Sequence, residues 1–114
     1  MQITLPWFNK ILNPNDKAHW AEKMLARKKQ KSDCYYIAKN LTPPVPAETY
    51  YLSVLFCPPD NRQRDLDNCL ASIKGALDGV AMAWKINDKQ FRFRNLDFGT
   101  VAKHGAIIIT LARD

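Results

Sequence analysis

Two aspartates separated by one residue, Asp65 and Asp67, are the strongest chemical signal in the chain. They stand in the run Arg64-Asp65-Leu66-Asp67-Asn68, where strand-like sequence gives way to helix-like sequence. In an extended or turning segment, residues two apart point the same way. Two carboxylates so placed repel unless a cation lies between them. A bound divalent ion would serve, as would neighbouring Arg and Lys. The bland alternative is that Asp65 or Asp67 only caps the helix. A third acid, Asp88, sits in the turn before a strand of alternating Phe and Arg. If the alternation runs back through that turn, Asp88 shares a face with Gln90, Arg92 and Arg94. Lys74 lies on a helix predicted from Leu66 to Trp84. At about 100° per residue, Asp67, Ala71, Lys74 and Asp78 fall within about 60° of one another, beside the apolar stripe. From there Lys74 can reach a phosphate or a water on a metal, or simply pair with Asp78.

Composition narrows the partners. The chain has 114 residues, 46% of them hydrophobic, which suits one soluble domain spanning 1–114. Seventeen Lys and Arg against eleven Asp and Glu give a net charge of +6, which favours a polyanion. Three cysteines with no CxxC pair, and only two histidines, argue against a disulfide framework or zinc chemistry. Any metal site must be built from carboxylates. No apolar run approaches the roughly 20 residues of a membrane span, and no secretory signal is evident, so a cytoplasmic protein is expected.

The elements that must hold these residues follow from the pattern. Ile3 to Leu5 reads as a strand stopped by Pro6. Asn13-Pro14 suits a helix start, with helix from Asp16 to about Ala38 and an interruption at Ser32-Asp33. That helix carries Lys17, Lys23, Arg27, Lys28, Lys29 and Lys31, either a solvated face or a phosphate track. A proline-rich connector leads to a strand from Thr49 to Cys57, apolar on both faces. After the long helix come a strand from Gln90 to Asn95, a hairpin turn at Lys103-His104-Gly105, and a last strand from Ala106 to Leu111. The order β-α-β-α-β-β predicts an α+β fold, a single-layer mixed sheet with two main helices. If both helices cover one face, the other needs a partner, and a homodimer is expected.

Asp65-Leu66-Asp67-Asn68, a helix with Lys74 and Asp78, and then Asn87-Asp88-Lys89-Gln90 resemble the RusA family of Holliday-junction resolvases. The opening Ile3-Thr4-Leu5-Pro6, Asn13-Pro14-Asn15 and His19-Trp20 is similar to phage-type members, so the resemblance spans nearly the whole chain. It implies a RusA-like fold and a homodimeric Mg²⁺-dependent nuclease, with Mn²⁺ as a substitute. Asp65, Asp67 and Asp88 would be metal ligands and Lys74 a catalytic lysine. It also implies four-way or branched DNA as substrate, in a bacterial or phage-infected cell. Lys23, Arg27, Lys28, Lys29, Lys31, Arg62, Arg64, Arg92 and Arg94 would hold the DNA backbone. Two positions depart from the family pattern. The lysine normally comes four residues after the second aspartate, where this chain has Ala71, and the usual Asp-Asp is Asn87-Asp88. The competing expectations are a non-catalytic DNA- or RNA-binding module and, last, a Mg²⁺ phosphohydrolase acting on nucleotides, for which no glycine-rich phosphate loop is evident.

Overall fold

The computed structural model describes residues 1–113. Its strands are β1 (Gln2–Pro6), β2 (Tyr50–Cys57), β3 (Phe91–Phe98) and β4 (Ala106–Arg113). Its helices are α1 (Trp20–Lys39), α2 (Leu66–Ser72) and α3 (Lys74–Trp84). Single 3-10 turns occupy Lys10–Leu12 and Asp88–Gln90. The strands form one mixed sheet in the order β1-β4-β2-β3, so the α+β class with a mixed sheet is as expected. β2 and β3 are parallel and joined through α2 and α3, while β4 runs antiparallel between β1 and β2. The turn at His104-Gly105, both left-handed, therefore leads into β4 but makes no hairpin with β3.

Alternation decides which side chains turn inward. Ile3, Leu5, Leu52, Phe56, Ile107 and Ile109 are almost fully buried and meet Ile73, Ala76 and Val80 in one core. α1 and α3 lie on this face. The other face carries Tyr51, Ser53, Leu55 and Ile108, half-buried or exposed. β3 bulges at Arg94: Phe93 faces Leu52 and Asn95 faces Ser53, leaving Arg94 without a partner. The extra residue resets the alternation. Phe91 and Phe93 before it, and Leu96 and Phe98 after it, all register with inward residues of β2.

α1 begins at Trp20, not Asp16, because His19 is the cap; its Nδ1 accepts from the Ala21 N–H. Asn13 closes a local turn instead, its Oδ1 accepting from the Asn15 N–H. Ser32-Asp33 does not interrupt α1. The long predicted helix is in fact two, broken at Ile73 (φ −111°, ψ 12°). Gln30 of α1 bridges the break: its Nε2 donates to the Ser72 carbonyl at 2.9 Å and its Oε1 accepts from the Ala76 N–H at 3.2 Å. The orphaned backbone groups of a helix end are thus satisfied from a neighbouring helix. Gly75 and Gly79 let α3 approach α1; a Cβ on Gly79 would lie 2.3 Å from the Lys31 carbonyl oxygen.

Candidate metal and nucleic-acid site

Asp65 is the N-cap of α2. Its Oδ1 accepts from the Asp67 N–H at 2.8 Å and the Asn68 N–H at 3.2 Å. Asp67 occupies the first turn, and both side chains are exposed. The capping role is therefore real, yet it engages one oxygen of Asp65 and neither oxygen of Asp67. The two carboxylates share the first turn of α2.

The loop before α2 is locked by an acid the sequence did not single out. Asp60 accepts from the Arg62 backbone N–H at 2.9 Å and pairs with the guanidinium groups of Arg62 (3.2 Å) and Arg64 (2.9 Å). The Arg62 N–H and side chain hold the Asp60 carboxyl at about 2, below its ordinary 3.8. Arg64 is mostly buried, lies 5.5 Å from the Trp7 ring centre, and donates to the carbonyls of Asp60 and Arg62. Of the two loop arginines, Arg62 faces solvent and Arg64 is committed to the loop.

Asp88 stands elsewhere. It opens the 3-10 turn before β3, whose first residue pairs with Tyr50 at the start of β2. Asp65 follows the far end of β2, where Arg64 meets Trp7 and Trp7 meets Phe56. Seven strand steps of about 3.3 Å, roughly 23 Å, separate the two ends. Among the described residues no three His, Cys, Asp or Glu side chains form a group that could hold a metal ion. One chain thus brings Asp65 to Asp67 but does not bring Asp88 to them. The 3-10 turn also breaks the alternation that would have aligned Asp88 with Arg92: Gln90 folds back to the Asn87 N–H and reaches the Ala47 carbonyl.

The basic residues divide in the same way. Arg92 donates to the carbonyls of Lys89 and Phe91, and Arg94 stacks over Tyr51 at 4.4 Å on the open sheet face. Lys29 is paired with Asp33 at 2.7 Å, and Lys23 reaches the Asn13 carbonyl at 3.4 Å. Among the described residues Arg27, Lys28 and Lys31 make no ion pair, nor does Lys74 pair with Asp78. Lys74 is exposed at the start of α3, beyond the break, so its angle to Asp67 is not that of a continuous helix. No helix is long and apolar enough to cross a membrane among the described residues.

Fold and site together define an α+β protein with one mixed sheet, an exposed carboxylate pair of which Asp65 caps α2, and a strongly basic helix. The chain is 33% identical over 114 residues to an uncharacterized protein of Xylella fastidiosa (strain Temecula1 / ATCC 700964), covering 96% of this chain and 74% of that protein, and it belongs to the same family. No protein-family profile matches the chain.

Proposed function

We propose that this protein is a RusA-type endonuclease that cuts four-way or branched DNA as a Mg²⁺-dependent homodimer. The observation that carries this is the solvent-facing pair Asp65 and Asp67 on the first turn of α2, in a chain of net charge +6. Hard carboxylate oxygens suit Mg²⁺, and Mn²⁺ as a substitute. The free oxygen of Asp65 and both of Asp67 are donors within one chain, and a third carboxylate completes the set. A second copy can supply it. β3 is a free sheet edge on which Phe93 and Phe98 are 45% and 37% exposed. Two copies meeting antiparallel along β3 about a two-fold axis would set the start of one β3 beside the end of the other. The partner's Asp88 would then lie near Asp65 and Asp67. A divalent ion bound there supplies Lewis-acid activation of water for attack on phosphorus. Arg62, Lys74 and the free cations of α1 would hold the phosphate backbone in register and offset its charge.

A second function has its own support. Asp65 already has a structural task, and one chain assembles no three-acid group among the described residues, which favours a basic DNA- or RNA-binding module without catalysis. An immobile four-way junction incubated with and without Mg²⁺, with linear duplex of the same sequence as control, separates the two. The nuclease nicks the junction only with the metal. The module binds equally in EDTA and never cuts.

A further inference from the structure

The overhang of α1 beyond α3 leaves a groove that neither the carboxylates nor the core explain. It holds about 400 Å³ and runs between Trp20, Met24 and Arg27 on one side and Ala71, Ser72 and Gly75 on the other. Trp20 is 66% exposed and Met24 48% exposed. Trp20 and Met24 thus place two large exposed apolar side chains one turn apart along the groove. The charge around it selects the partner. Lys23 and Arg27 line the groove, Lys28 and Lys31 follow on the same helix, and Glu22 is the acid of the first turn of α1. An occupant that offers both a flat apolar face and an anionic strand is a nucleotide. In a duplex the base faces are stacked on one another, so only an unpaired base can present one to Trp20. The groove also ends at Ala71 and Ser72, the last turn of the helix whose first turn bears Asp67.

We propose that this groove binds an unpaired nucleobase of the branched substrate, stacked on Trp20 and Met24, with Arg27 and Lys23 on the adjoining phosphates. This rests on the DNA reading above and adds to it a site that tells a branch point from plain duplex.

Binding measured in EDTA, by anisotropy of labelled DNA, keeps the test apart from cleavage. Trp20→Ala should weaken binding of a single-stranded oligo-dT and of a four-way junction carrying unpaired bases at its centre by about 5- to 100-fold. Affinity for linear duplex should stay within about twofold, and Trp20→Phe should recover most of the loss. Equal loss on all three DNAs, or no loss on any, overturns the proposal. If the variant also falls apart from dimer to monomer in sedimentation, the groove is an interface between copies and the proposal fails. Wild-type protein that cuts junctions while Trp20→Ala binds them normally sinks this inference alone. Wild-type protein that binds no DNA sinks both.

Discussion

In the proposed nuclease Asp65 divides its two oxygens between capping α2 and holding the metal, and substitutions can separate the two. Asparagine keeps the accepting Oδ1 and removes the charge. Asp65→Asn should therefore change stability by only a few tenths of a kcal/mol, whereas Asp65→Ala should cost about 1 kcal/mol in a urea melt. Both should lose Mg²⁺-dependent cleavage. An Asn variant that cuts at wild-type rate would reduce Asp65 to a cap. The neighbouring acid gives a pH dependence. Asp60 titrates at about 2 in the fold against an ordinary 3.8, so the folded state binds its proton later than the unfolded chain does. Its contribution is present above about pH 4 and is lost as pH falls toward 2. Asp60→Asn should flatten the acid limb of the melting curve in that window. Burial pushes the Cys34 thiol the other way, up to about 12 from 9.0, so its contribution fades as pH rises above 9. At this scale the sequence was readable where the signal was local. The Asp-x-Asp pair and its capping alternative follow from spacing alone. That Arg64 would fold onto Trp7, far away in sequence, does not.

Helix packing sets how α2 presents that pair. Its hold is Gln30, whose amide serves both sides of the break at Ile73. Gln30→Leu leaves a carbonyl and an N–H without partners and should cost about 2 kcal/mol in a chemical melt. Gly79→Ala forces α1 and α3 apart, because the new methyl would overlap the Lys31 carbonyl; a loss of about 2 kcal/mol is expected. A melt unchanged by either substitution would mean that the helices adjust freely. The phosphate track is tested on α1. Lys28→Gln with Lys31→Gln should reduce the log–log salt slope of DNA binding by roughly 0.7–0.9 for each phosphate no longer neutralised, and Lys29→Gln by less, since Lys29 is already paired with Asp33. An unchanged slope would make α1 a solvated face. The continuous apolar period from Leu66 to Trp84 concealed the break, because Ile73 is buried and fits the stripe either way. Conversely, Ser32-Asp33 looks like a stop in sequence and is tolerated on an exposed face of α1.

The proposed three-acid site is tested at the scale of the whole molecule. Asp67→Asn and Asp88→Asn should each be inactive as pure dimers. Mixed after co-refolding, they should regain nicking, because one of the two sites then combines intact Asp65 and Asp67 with an intact Asp88 of the partner subunit. No recovery would mean that the three acids do not act across two chains. The sequence suggested a dimer from strands apolar on both faces. The open face mixes Ser53 and Thr110 with Leu55 and Ile108, whereas the exposed phenylalanines lie along the β3 edge. Sequence alternation located Phe91 and Phe93, but it could not reveal the hydrogen-bond register that places Leu96 and Phe98 with them. That register depends on one residue. Arg94 acts as a frame marker in β3, because the residues before and after it keep opposite parities. Pairing Arg94 in regular register, with no residue bulged out, would straighten the strand and keep its composition, yet swing Leu96 and Phe98 to the far side of the sheet. An apolar row four residues long would become two short ones on opposite faces without altering a single side chain in it.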